Sequence, residues 1–283
     1  MKDAKNETRA VQRGAEKMRA VIISGGVISD YAYIRSQIRA DDTIICADSG
    51  FDHAVKMGVV PAAITGDFDS VRAKLPPEIE CVKFPARKNQ TDTEIAVEYA
   101  RQRGFADFLL LGATGGRLDH ALTNILLLKK FAERGEDAEI IDEYSKITII
   151  SADVIENPAQ AENALKGAGE VRPPLPAIFR LAFSVLKVVR DTRIFRRVFR
   201  RRSRGVTLAI YEPPGTIVSL VPLEHCTGVT ADGFEYPLHD ADLHVGEGLG
   251  VSNVVRRDVT DVPTVGLTRG VLLVIVARDV TTP

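Results

Sequence analysis

The 283-residue sequence has no tryptophan and only three methionines and three cysteines. Cys46, Cys81 and Cys226 are an odd number, widely spaced. They fit neither a disulfide framework nor a paired zinc motif, and the expectation is small, buried apolar side chains. Nowhere are about 18 apolar residues uninterrupted, which excludes a transmembrane helix on sequence grounds. The first twenty residues lack the apolar core of a signal peptide, so the expected compartment is the cytoplasm. With 45% hydrophobic and 27% charged residues, the chain is neither disordered nor fibrous, and it is long enough for one large or two ordinary domains.

The charge is unevenly distributed. Eleven Lys/Arg and a single acid, Asp191, lie between 171 and 205, which leaves 26 basic and 37 acidic residues elsewhere. An acidic body with one basic segment does not describe a nucleic-acid binder.

After a polar leader (1–18), the chain alternates apolar runs at 19–24, 43–47, 62–65 and 107–111 with helical stretches at 31–39, 51–57, 91–103 and 118–134. Runs bounded by Gly, Asp or Pro read as buried parallel strands, and the alternation predicts a doubly wound α/β domain over 19–151. Thr91-Asp92-Thr93-Glu94 has the form of a capping box. The fourth helix carries apolar residues at Leu122, Ile125 and Leu126. From 205 to 283 the pattern changes to short β-rich runs (206–211, 216–222, 243–245, 271–277) separated by Pro- and Gly-containing turns. That spacing predicts an antiparallel β-sandwich. The intervening 152–204 is expected to be a basic, arginine-rich helical insert. Three readings suit it: a solvated excursion, a basic amphipathic helix resting on an anionic membrane surface, or a segment docked on the acidic body.

The residues with chemical potential follow strands. Gly66-Asp67-Phe68-Asp69-Ser70 comes directly after 62–65, where the carboxyl end of a parallel strand places ligands. Two carboxylates one residue apart, beside a glycine that permits a tight bend, can share a hard cation such as Mg²⁺; a solvated acidic turn has the same composition. Lys88-Asn89-Gln90-Thr91-Asp92 precedes a helix whose free N–H groups suit phosphate, though a plain cap accounts for Thr91 equally well. Gly112-Ala113-Thr114-Gly115-Gly116-Arg117-Leu118-Asp119-His120 follows 107–111. Its glycines allow close approach of a polyphosphate and Arg117 can neutralise it, yet it matches neither the Walker A nor the dinucleotide pattern. His120 suits helix packing better than catalysis. Ser24-Gly25-Gly26 and Ala47-Asp48-Ser49-Gly50 also follow strands and would line the same edge. Together these loops describe a site for phosphate and a divalent metal.

In this order and spacing, Gly66-Asp67-Phe68-Asp69-Ser70, Thr91-Asp92 and Gly115-Gly116-Arg117-Leu118-Asp119-His120 resemble the thiamine pyrophosphokinase family. Further landmarks are 218–223, 228–230, 233–238 and Gly250-Val251-Ser252-Asn253. The resemblance implies a two-domain homodimeric enzyme in which the thiamine hydroxyl attacks the β-phosphorus of ATP, releasing AMP and forming thiamine diphosphate. It implies Asp67, Asp69 and Asp92 as Mg²⁺ ligands and Arg117 and Asp119 as residues near ATP and thiamine. Asp48, Lys88, Gln90, Thr91, Gly115 and Gly116 would bind the substrates, and Ser252 and Asn253 would meet thiamine. Asn89 departs from the family, which usually has Asp there; with the other carboxylates present a working enzyme is expected. Two alternatives stay open: a diphosphokinase for another heterocyclic alcohol such as a hydroxymethylpterin, and a non-catalytic nucleotide- or thiamine-binding regulator. Either Asp92 or Asp119 can take the hydroxyl proton.

Overall fold

A computed structural model describes residues 18–83, 90–152 and 205–278. Lys88, Asn89, most of the polar leader and 153–204 of the basic insert lie outside the described residues, and with them the membrane reading of that insert. Two compact units emerge, one built from Met1–Ile149 with Arg278–Pro283 and the other from Ile150–Ala277.

In the first unit, the four apolar runs become buried strands, β1 (Arg19–Ile23), β2 (Thr43–Ala47), β3 (Ala63–Gly66) and β5 (Asp107–Leu111), and β6 (Asp137–Ile141) joins them although Asp137 and Glu139 interrupt its apolar residues. With β4 (Glu80–Lys83) they form a parallel array, and β7 (Ser145–Ala152) pairs antiparallel with β6. The order is β7-β6-β5-β1-β2-β3-β4. The chain winds outward from β1 through β2, β3 and β4, then starts again on the other side of β1 with β5. The switch point therefore lies between β1 and β5, where an open α/β sheet opens a crevice at its carboxyl edge. Leu109, Leu110, Leu111, Ile22 and Ile23 are fully buried on β5 and β1. Each such side chain contributes about 1.5–3 kcal/mol of transfer free energy, so this central pair is the rigid floor under the crevice.

Four helices connect the strands: α1 (Tyr31–Ser36), α2 (Gly50–Met57), α3 (Asp92–Gln102) and α4 (Leu118–Glu133). Helix α1 stops short of the expected 39 because the Gln37 carbonyl accepts Arg19 Nη2 (3.0 Å) and Ile38 turns into the core. The buried face of α4 also differs from expectation. Asn124, Leu127, Leu128 and Phe131 point inward, whereas Leu118, Leu122 and Leu126 are 80%, 52% and 46% exposed. Phe131 sets the rotation by packing against Phe108 of β5 at 4.9 Å between ring centroids.

The second unit is antiparallel throughout its described strands. Strands β9 (Ile217–Pro222), β12 (Asn253–Val254) and β14 (Gly270–Ala277) run in the order β12-β9-β14. Strands β8 (Val206–Ala209), β10 (Cys226–Asp232), β11 (Leu238–Leu243) and β13 (Thr264–Leu267) form a second sheet, β11-β10-β13-β8. Val218, Leu220, Leu272 and Val274 from one sheet and Val229, Ala231, Val265 and Leu267 from the other share one buried core. This is the two-layer sandwich that the short strands imply. The run expected at 243–245 is the end of β11 instead. Glu247 N–H bonds the His244 carbonyl (3.1 Å) and Gly246 takes φ 88°, so the chain turns there.

Candidate active site

The loops following β1, β2, β3 and β5 share the carboxyl edge of the first unit's sheet, and glycines let them pack without side chains between them. Gly26 N–H donates to the Gly112 carbonyl (2.8 Å) across the switch point. A Cβ on Gly26 would meet the Thr114 and Gly112 carbonyl oxygens at 2.4 and 2.5 Å, and one on Gly50 would meet the Ile23 oxygen at 1.9 Å. The buried Ser24 hydroxyl bonds Thr93 Oγ1 (2.9 Å), tying the β1 loop to the first turn of α3. Asn124, one and a half turns into α4, donates to the Ala113 carbonyl (2.7 Å) and fixes the glycine-rich loop to the helix that follows it.

Three carboxylates converge on this edge. Oxygen atoms of Asp48, Asp67 and Asp69 lie within 4.8 Å of one another. Asp48 is buried at the end of β2, with φ 45°, and its Oδ1 accepts the Phe68 N–H (3.1 Å). Gly66 passes directly over it, so that a Cβ there would press on Asp48 at 3.1–3.2 Å. Asp67 and Asp69 are progressively more open to solvent. Asp67 Oδ1 accepts the Asp69 N–H (3.3 Å), and Asp69 Oδ1 accepts the Ser70 hydroxyl (2.9 Å). Burial pushes the Asp48 carboxyl above its ordinary pKa; bonds from Ser70 and the Ser49 N–H oppose this, and the charges of Asp92 and Asp67 add to it. Asp92 therefore belongs to the same electrostatic neighbourhood. An all-oxygen set of this kind fits Mg²⁺, which takes carboxylates together with water and phosphate oxygens. Sequence reasoning gave Asp48 a lesser place than Asp67 and Asp69; its signal is an acid immediately after a buried strand.

Thr91 caps α3 as expected. Its hydroxyl accepts the Glu94 N–H (3.2 Å) while Glu94 Oε2 accepts the Thr91 N–H (3.0 Å). This box is worth about 1 kcal/mol and fixes how Asp92, the first helical residue, faces the edge. Gln90 is exposed just before Thr91. Gly115 and Gly116 take φ 85° and 73° beside Val27, and present the loop backbone to solvent. Arg117 and Asp119 pair with each other through two bonds (3.2 and 2.5 Å), both side chains largely exposed. The bond from Arg117 holds the Asp119 carboxyl below the ordinary range. His120 is exposed on the first turn of α4.

In the second unit, Asn253 is buried and its side chain is fully engaged. Oδ1 accepts the Tyr236 and Val254 N–H groups (3.0 and 2.9 Å), and Nδ2 donates to the Tyr236 carbonyl (2.7 Å). It clamps the 233–236 loop to β12. Ser252, exposed with φ 58°, leaves its hydroxyl available while its N–H bonds Ser219 Oγ (3.0 Å).

Comparison with known proteins gives this α/β-plus-sandwich arrangement a family. The thiamin pyrophosphokinase catalytic domain matches residues 34–141, and the thiamin pyrophosphokinase vitamin B1 binding domain matches 206–272. Together they take in more than half the chain. The chain belongs to the thiamine pyrophosphokinase family. A thiamine pyrophosphokinase from Bacillus subtilis (strain 168) is 32% identical over 108 residues, 36% of this chain and 50% of the relative, so the match spans about half the length of that curated protein. Among solved structures, the Bacillus subtilis thiamine pyrophosphokinase has TM-score 0.65 at 21% identity, covering 93% of this chain and 100% of that one. The Geobacillus thermodenitrificans thiamin pyrophosphokinase gives 0.63 at 23%, covering 94% and 100%. These likenesses show a common fold.

Proposed function

We propose that this protein transfers a pyrophosphoryl group from ATP to the hydroxyl of thiamine, forming thiamine diphosphate and AMP. The observation that carries the reading is the convergence of Asp48, Asp67 and Asp69 on the carboxyl edge of a doubly wound sheet, in a chain of this family. Asp67, Asp69 and Asp48, with Asp92 beside them, would hold Mg²⁺, which supplies charge neutralisation to bound polyphosphate. Pyrophosphoryl transfer depends on positioning and electrostatics more than on covalent help. The glycine loops at 24–26 and 112–116 let the phosphate chain approach the backbone, and the α3 N-terminus offers free N–H groups to it. Arg117 leaves Asp119 for a phosphate oxygen and stabilises the charge that develops there. The thiamine hydroxyl proton passes late in the transfer to Asp92 or Asp119.

Ser252 and the loop clamped by Asn253 would contact thiamine, and Lys88, Gln90 and Thr91 the nucleotide. A homodimer is part of the same reading. So is a reducing, cytoplasmic setting, which suits the three free thiols. Contact of the basic segment with an anionic membrane surface would extend it, and excising 152–204 would then reduce sedimentation with anionic vesicles.

The deciding experiment measures AMP release from ATP with and without thiamine, and with a hydroxymethylpterin in its place. Release that requires thiamine supports the reading. Release driven by the pterin, or nucleotide binding with no AMP formed, overturns it.

A further inference from the structure

A second cluster of metal-ligating side chains lies on the other unit, among residues the phosphate chemistry does not use. His225 precedes β10, Asp242 is near the end of β11 and His244 follows it. Ligand atoms of all three lie within 4.8 Å of one another. We propose that His225, Asp242 and His244 form a binding site for a zinc-class divalent ion on the outer face of the β10–β11 pair.

The backbone explains why these residues meet. Cys226 pairs with Leu243 in antiparallel register, and both side chains are buried, 0% and 1% exposed. Side chains alternate along a strand, so the flanking positions must face outward. His225 and His244 are the next opposed pair in that register, and Asp242 lies two residues from His244 on the same face. Opposed residues bring their Cβ atoms to about 4.5–5.5 Å. The register thus supplies two ligands from facing positions and a third from the same strand, all anchored by a buried pair beneath.

Geometry and chemistry agree on the ion. His225 Nε2 and Asp242 Oδ2 are 3.6 Å apart. Two ligands each about 2.0–2.2 Å from a tetrahedral zinc are about 3.3–3.6 Å from one another. The imidazoles of His225 and His244 stack at 4.3 Å with a 13° interplanar angle. Both are exposed, so a rotation about each side chain opens the stack and turns two ring nitrogens toward one point. Two imidazoles and one carboxylate suit Zn²⁺ and its neighbours, whereas Mg²⁺ prefers oxygen alone. Three protein ligands leave a position for water, which makes this an open, exchangeable site rather than a closed structural one. An ion there would clip β10 to β11 and stabilise the sandwich through its own binding free energy.

The test uses the full chain, stripped with chelator and held in excess Mg²⁺ so that the carboxylate edge is occupied. Co²⁺ is titrated and followed by its visible d–d absorption, then displaced with Zn²⁺. The expected result is one ion per chain, lost in the His225→Ala/His244→Ala double variant and bound about tenfold or more weakly in Asp242→Asn. Zn²⁺ should raise the Tm of the parent and leave that of the double variant unchanged, while the two proteins melt alike without metal. Equal uptake by parent and double variant overturns the proposal, as does an intense near-ultraviolet band reporting thiolate coordination at a cysteine.

Discussion

Gly66 passes so close to Asp48 that a Cβ placed on it would lie 3.1 Å from the Asp48 Cβ and 3.2 Å from its Cα. The buried acid of the candidate metal cluster is thus roofed by backbone, and its desolvation follows from a glycine eighteen positions along the chain but adjacent in space. That desolvation opposes the charged form and raises the Asp48 pKa in the folded state. An acid raised on folding binds protons more tightly in the native chain, so its contribution to stability falls as pH rises from the unfolded value near 3.8 through the folded one. Asp48→Asn keeps the acceptor for Phe68 N–H and removes the charge. We expect a higher Tm than the parent at pH 7 without Mg²⁺, a difference that shrinks toward pH 4, and weaker Mg²⁺-dependent turnover.

Asp67→Asn and Asp69→Asn each remove an anionic oxygen from the cluster while leaving exposed turn geometry intact. Thiamine-dependent AMP release at sub-saturating Mg²⁺ should be lost in both, with thermal unfolding close to that of the parent. Near-normal turnover in both variants would contradict the assignment of the metal to this edge.

Asn89 stands where the family usually has Asp. Restoring the acid with Asn89→Asp should change kcat/KM by less than about tenfold, or 1.4 kcal/mol of barrier, because the cluster and Asp92 already supply the charge. A gain of several orders of magnitude would mark the natural chain as a weakened enzyme.

Gly26→Ala places a methyl group 2.4 Å from one backbone oxygen and 2.5 Å from another. Neither loop can yield cheaply at the switch point, and overpacking of this kind costs about 1–3 kcal/mol. The expected result is a lower urea midpoint together with a raised KM for ATP. A rise in thiamine KM alone would place the nucleotide elsewhere.

A buried ion pair lies at the opposite end of β1 from this edge. Arg19 and Asp42 form a doubly hydrogen-bonded ion pair with side chains 5% and 1% exposed. Asp42→Asn strands a buried guanidinium and should cost about 3–5 kcal/mol in chemical denaturation.

Much of the α/β unit is legible because a parallel strand buried on both faces must be continuously apolar, as at Val21–Ile23 and Phe108–Leu111. Strand β4 escapes that logic: it is an edge strand with Glu80, Cys81 and Lys83 exposed, so nothing in its composition separates it from a loop. Strands β10 and β13 are short, alternating and glycine-interrupted, and their pairing is decided by partners distant in sequence. Helix α4 misleads for the opposite reason. Its apolar residues Leu122, Ile125 and Leu126 read as the inward face, but the Phe131–Phe108 contact and the Asn124 bond turn Leu122 and Leu126 outward. At the edge, residue types after strands reveal the loops, while the inclusion of Asp48 in the cluster depends on the β2–β3 pairing and on Gly66.

The exposed bond between Arg117 and Asp119 has a kinetic consequence. Solvated surface pairs contribute little to stability and are screened by salt, so the guanidinium rests in a shallow well before it meets its ligand. On the proposed reading, exchanging Asp119 for a phosphate oxygen would then add little barrier in either direction, and the arginine would release a product as readily as it takes up the next nucleotide. A buried partner for Arg117 would give tighter pre-orientation and, on that reading, slower cycling; here the residue is left in water.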